Sequence, residues 1–256
     1  MDTTRMVRVL WALLALVMAA GTLATCGDDD DTSGSEAVID PGDEGEYAPD
    51  IDPANYVDQI DNPYLPLLPG TQWVYEGVNE DGETERIEVV VTTERREVMG
   101  VSAVVVQDTV YEDGELVEDT FDWFAQDVDG NVWYLGEDSG EYEDGELVST
   151  EGSREAGIDG ALPGNVMLAD PTVGAAYRQE YNEDEAEDKG EVSQVGVSQT
   201  VIAGEYDDIV VIREWNPLEP DVVEDKYHAP GVGVVLEQKV AGEEGRVELI
   251  EFTPAA

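Results

Sequence analysis

The chain predicts an all-β fold: one large curved antiparallel meander, open or rolled into a half barrel, with at most one or two short helices. Three observations point there. Asp-Gly pairs recur between apolar runs at 81–82, 113–114, 129–130 and 144–145, and these residues tolerate the positive φ that a tight hairpin needs. Apolar and polar residues alternate with period two through most of the remaining chain. No long stretch beyond the N-terminal segment carries helical periodicity.

The elements follow in order. Prolines and leucines alternate through 62–70, so this stretch reads as an extended entry segment lying against the domain. Strands are expected at 72–79, 84–94, 101–112, 116–126, 131–136 and 147–151. Glu-Asp-Gly-Glu begins at Glu80, Glu112 and Glu143, and Tyr111–Val117 recurs identically as Tyr142–Val148. At about 3.3 Å per residue this spacing suits long strands with their turns on one edge. Three copies are too few for a propeller or solenoid. In the strand at 116–126, Val117, Asp119, Phe121, Trp123 and Ala125 form the largely apolar face expected to meet the core. Glu118, Thr120, Asp122 and Gln126 are expected to meet water. Residues 152–174 read as a long crossing loop with one helical turn at 165–169. Strands resume at 176–181, 191–202, 209–215, 222–227, 233–240 and 246–252.

The N-terminus reads differently. Arg5 and Arg8 precede an apolar run over 9–20, and Leu23-Ala24-Thr25-Cys26 follows. This is the layout of an export signal. Cys26 is the one cysteine of the chain, and Gly27 and four aspartates come directly after it. The pattern resembles a bacterial lipoprotein signal, in which the cysteine becomes the lipidated first residue. Thr25 departs from the small residue usual before that cysteine. Two alternatives stay open: cleavage near Ala20 or Ala24 to give a soluble secreted protein, or retention as an uncleaved anchor. The expected organisation is a signal over 1–26, a disordered acidic tether over 27–55 and a single β domain over 56–256.

Sixty-one acidic and twelve basic residues give a net charge of -49. That balance argues against nucleic acid and anionic lipid surfaces, which need clustered Lys and Arg. The acids are spread along the chain, as expected of a protein working in high salt, where screening relieves self-repulsion. A surface that binds divalent cations is the other reading.

Catalytic signals are thin. His228 is the sole histidine, so a histidine-based triad would have to use it, and zinc lacks ligands. Carboxylates are too numerous for sequence to single out a hydrolytic pair. Asp127, Asp129 and Asn131 resemble the start of a calcium loop. The glycine is fourth rather than sixth, however, and a hairpin turn explains the run. The aromatics fall in strands, where packing accounts for most of them. A sharper expectation is that Trp73, Trp123, Trp133, Trp215 and Tyr177 line a concave sheet face and contact an apolar small molecule.

The runs 62–75, 129–137, 174–181, 213–220 and 227–237 together are similar to a set of bacterial secreted proteins and lipoproteins of unassigned function. His228 stands where that set would carry Tyr. More loosely, the meander is similar to the curved half barrel of lipoprotein carriers. The resemblance implies an extracytoplasmic protein, membrane-tethered through lipid on Cys26, with a non-catalytic binding or structural role in the cell envelope. A carboxylate-based hydrolase and a calcium-linked adhesion module are the alternatives.

Overall fold

The computed structural model describes residues 47–78, 82 and 84–256. The signal segment, Cys26, most of the acidic tether and Asp81 lie outside the described residues.

The chain enters through a short 3-10 turn, Pro53–Asn55, whose preceding Asp52 carboxylate accepts from Ala54 N–H at 3.0 Å. Sixteen strands follow in order. They are β1 (Tyr56–Val57), β2 (Gln72–Val78), β3 (Thr84–Val98), β4 (Val101–Glu112), β5 (Glu115–Asp127), β6 (Val132–Glu143), β7 (Glu146–Ser149) and β8 (Arg154–Glu155). After these come β9 (Leu162–Met167), β10 (Ala176–Arg178), β11 (Glu180–Tyr181), β12 (Lys189–Val201), β13 (Gly204–Trp215), β14 (Val223–Ala229), β15 (Gly233–Ala241) and β16 (Arg246–Thr253).

All pairings are antiparallel, and the sheet runs β10-β12-β13-β14-β15-β16-β2-β3-β4-β5-β6-β9-β11. The two ends of that order belong to one short run. β10 pairs with β12, β11 pairs with β9, and only Gln179 separates β10 from β11. The chain therefore bridges its own seam, and the curved meander closes almost fully into a barrel. Closure demands a close backbone approach at Gly164. A Cβ there would lie 2.3 Å from the Arg178 carbonyl oxygen and 2.4 Å from the Gln179 carbonyl carbon. Glycine alone fits.

Two hairpins form where Asp-Gly pairs place them. Asp113 and Gly114 have φ 46° and 87°, and Asp144 and Gly145 have φ 52° and 79°, the paired positive values of a type I′ turn. Met99-Gly100 makes the same turn between β3 and β4. At Asp129-Gly130 only the glycine has positive φ, and the Asp127 side chain organises the turn instead.

The two sides of β5 are reversed relative to the sequence expectation. Glu118, Thr120 and Asp122 point into the barrel and are buried, sharing that face with Phe124. Trp123 and Ala125 lie on the outer wall. There they join Val98, Val101, Ala103, Val105, Trp133, Leu135 and Ala156 in a second apolar cluster. Ile51 and Tyr56 cover this cluster. Residues 47–55, expected as the end of the disordered tether, thus lie as a strap on the wall. The helical turn expected at 165–169 is replaced by strand β9, because 162–167 is captured between β6 and β11.

The lumen divides into two halves. At one end the entry segment turns inward as a plug: Ile60 and Leu67 bridge each other and are buried, with Tyr64 and Leu65 packed on the same cluster. Trp73, Val91, Phe124, Met167, Val210 and Leu249 belong to the same buried cluster. Each fully buried aliphatic chain there contributes roughly 1.5–3 kcal/mol. The other half, toward the Asp-Gly hairpins, is polar.

Candidate functional site

The polar half is built by strand register. Lys226 on β14 stands between Ile212 on β13 and Glu237 on β15, and Glu214 pairs with Glu224. Across the lumen, Asp108 pairs with Thr120, Asp122 with Glu137, and Thr120 with Ser139. Period-two geometry turns all of these inward together. The curvature then brings the two walls within electrostatic reach, so that Asp108 on β4 feels both Glu237 and Lys226.

Two cations organise the carboxylates. Lys226 Nζ lies 2.8 Å from Glu214 Oε2 and 3.7 Å from Glu224 Oε1. Arg154, carried in by β8, pairs with Glu180 and lies 3.0 Å from Glu137 Oε1. Gly136 makes room for it, since its φ is 121° and a Cβ would sit 2.2 Å from the Arg154 carbonyl oxygen. The Tyr134 hydroxyl bridges a carboxyl pair, 3.1 Å from Asp122 Oδ1 and 2.9 Å from Glu137 Oε2.

Acids outnumber these cations, and burial decides their state. Desolvation pushes Glu118 up to about 8, against a hydrogen bond of 2.8 Å from Thr120 Oγ1. It pushes Asp188 up to about 7. Asp108, Asp122, Glu180 and Glu237 are raised well above the ordinary range, again chiefly by burial. Arg154 and Lys226 are held protonated by the carboxylates against them. At neutral pH Glu118 therefore keeps its proton, Asp188 is about half protonated, and burial biases Asp108, Asp122 and Glu237 toward the neutral form. His228 goes the other way: burial lowers it to about 4, so it is neutral. Its Nδ1 lies 3.2 Å from the Tyr64 carbonyl oxygen, which makes Nδ1–H the donor and leaves Nε2 as an acceptor facing inward.

The aromatic residues singled out from the sequence do not share one surface. Trp73 is inside, donating from Nε1 to Val232 O at 2.7 Å as part of the apolar half. Tyr177 is inside, against Gly190. Trp123 and Trp133 are on the outer wall, Trp123 under the Arg96 guanidinium at 4.5 Å and Trp133 edge-on to Tyr56. Trp215, at the β13 end, is half-buried beside Lys189 and Val223. The concave apolar face is occupied by the chain's own plug.

Asp127, Asp129 and Asn131 form a turn rather than a cage. The Asp127 carboxylate accepts from the backbone N–H of Asp129 and Asn131, from Asn131 Nδ2 and from Trp133 Nε1, all within 3.0 Å. Its lone pairs are thereby committed to the hairpin. Among the described residues, no three His, Cys, Asp or Glu side chains converge to hold a metal ion. A small cavity of about 10 Å³ lies beside Tyr134, Arg154 and Glu180. That is about the room of one water molecule, far below a ligand pocket.

Sequence reasoning missed the polar lumen. No local signal marks it: the period-two register that turns Lys226 and Glu237 inward is the one that turns apolar residues inward elsewhere.

No family model matches the chain, and no curated protein does. Among solved structures the barrel is similar to a protein inferred to be exported, with a YmcC-like fold, from Bacteroides fragilis. That match has a TM-score of 0.45 at 13% identity and covers 75% of this chain and 99% of that one. It is also similar to a protein inferred to be a lipoprotein from Parabacteroides distasonis, with a TM-score of 0.37, 13% identity and the same coverage. Likenesses this distant leave the functional argument to the residues themselves.

Proposed function

We propose that this chain is an extracytoplasmic β-barrel, tethered to the membrane by lipid on Cys26, with a non-catalytic binding or structural role in the cell envelope. The observation that carries the reading is how the chain enters the barrel. The segment after the acidic run is fastened to the wall at several points. Tyr47 donates to Pro163 O at 2.7 Å and packs edge-on to Tyr181, with the Arg178 guanidinium over both rings. Val128 N–H donates to Asn55 O at 2.8 Å. A load applied through the N-terminal lipid would therefore meet a fixed strap instead of a loose end.

Two features support a non-catalytic role over the hydrolase. Asp122 and Glu137, the best-placed carboxyl pair, are buried, bridged by the Tyr134 hydroxyl, and Glu137 is also paired with Arg154, so both are committed within the fold. His228 is committed to the plug through Tyr64. The plug fills the apolar half, so the reading does not include an apolar ligand carried inside. Replacing Cys26 by Ser tests the tether. The variant should move from the membrane fraction to the medium, and unchanged membrane association would contradict lipidation.

A further inference from the structure

We propose that the outer part of the β12–β13 hairpin, residues 197–207, is a hinged arm. It latches the barrel wall between β15 and β16, and it opens as a unit while the barrel stays folded.

The hairpin outruns its neighbour. The pairing of β13 with β14 ends at Val210↔His228, whereas β12 and β13 stay paired out to Val201↔Gly204. Where the free part begins, both strands leave extended geometry. Gly196 has φ 68° and Asp208 has φ 56°, and the register shifts on either side of Val197. A left-handed residue in each of two paired strands bends the ribbon. Asp208 holds that conformation against the steric cost it carries for any residue with a Cβ, and straightening the ribbon relieves it. A Cβ at Gly196 would meet nothing within 4 Å, so the glycine serves the backbone angle alone.

Beyond the bend the ribbon has two faces. Val197, Gln199, Val201 and Tyr206 are partly or fully buried, whereas Ser198, Thr200, Glu205 and Asp207 are exposed. The wall beside it is apolar on its outside. Val211, Tyr227 and Leu236 are register partners that face away from the inward Lys226 and Glu237, yet Val211 and Leu236 are buried. In the sheet order β16 lies three strands from β13. At about 4.8 Å per strand that is about 14 Å, which the extended stretch from Val197 to Ile202 spans at about 3.3 Å per residue. On arrival, Ala203 N–H donates to Leu249 O at 2.9 Å and Ile202 N–H donates to Glu248 Oε2 at 3.1 Å.

The latch closes a thinly paired part of the wall. β15 and β16 pair over Leu236–Gln238 against Arg246–Glu248. Toward the plug, side chains from β2 reach past β16 to the backbone at the start of β15. Trp73 Nε1–H donates to Val232 O at 2.7 Å, and the Tyr75 hydroxyl donates to Val234 O at 3.1 Å. Releasing the arm frees Leu249 O and bares the apolar outer strip without breaking a strand pair of the barrel.

Residue-resolved hydrogen exchange of the full chain in detergent tests this. The Ile202 and Ala203 amides should exchange together, at least tenfold faster than amides at the centre of β4 and β5. Gly196→Val adds a side chain in open space and penalises only the bend, so it should speed both amides about tenfold and leave β4 and β5 unchanged. Val201→Ala trims the buried anchor without touching the hinge. It should act in the same direction several-fold, and it serves if the glycine variant fails to fold. Fraying of the tip alone would release Ala203 without responding to Gly196→Val. That indifference, exchange of Ala203 only at the rate of global unfolding, or an equal rise across the whole barrel would each overturn the proposal.

Discussion

Replacing Glu118 by Gln should stabilise this protein at pH 8 and leave it unchanged near pH 4.5. Glu118 is 2% exposed, and burial raises its carboxyl to about 8. In the unfolded chain it ionises near the usual value of about 4.3. Below that value both states are protonated and the folded protein has the full contribution of this group. As pH rises, the unfolded state loses its proton first, and the wild type loses stability until the folded carboxyl also ionises near pH 8. Each pH unit in that window costs about 1.4 kcal/mol. Three to four units set an upper limit of about 5 kcal/mol, and water penetration brings the expected difference nearer 2–3 kcal/mol. Gln keeps the oxygen that accepts from Thr120 and has no proton to lose. Urea unfolding of both proteins at pH 4.5, 6 and 8 gives the difference directly. A variant destabilised at pH 8, or a difference that does not change with pH, would refute the reasoning.

Three further outcomes are expected. Gly164→Ala should cost 3 kcal/mol or more, because its Cβ would overlap the 178–179 backbone at the seam, and hydrogen exchange should rise selectively over 176–181. Arg154→Met should cost about 3–5 kcal/mol at pH 8, since it leaves Glu137 and Glu180 without their counter-charge. The loss should be much smaller near pH 4.5, where both acids are protonated; equal losses at the two pH values in thermal melts would contradict the pairing. Removing salt should lower the melting temperature of the wild type, given the net charge of -49, and indifference to salt would argue against a high-salt adaptation.

Much of the barrel was legible in the sequence, because its turns are chemical. Asp113-Gly114 and Asp144-Gly145 need positive φ and have it. The meander from β2 to β6 follows from period-two runs between such turns, and that from β12 to β16 from period-two runs between Gly- and Pro-containing connections. The closure was not legible. β9, β10 and β11 are short, and Gly164 works through an approach to backbone distant in sequence, which no local pattern encodes. Nor could alternation alone tell inside from outside in β5. Both of its faces are covered, one by the lumen and one by the strap at 47–57, and the strap makes Trp123 look like a lumen residue. The polar lumen departs from the usual rule that carboxylates face water, and it is stable because Arg154, Lys226 and retained protons neutralise it.

The central claim is that the folded barrel keeps protons on carboxyls that the unfolded chain gives up. Direct potentiometry of unfolding at pH 6 measures this. The folded protein should release about two protons or more on unfolding, from Glu118, Asp188 and their neighbours. Proton uptake, or no exchange at all, would contradict it.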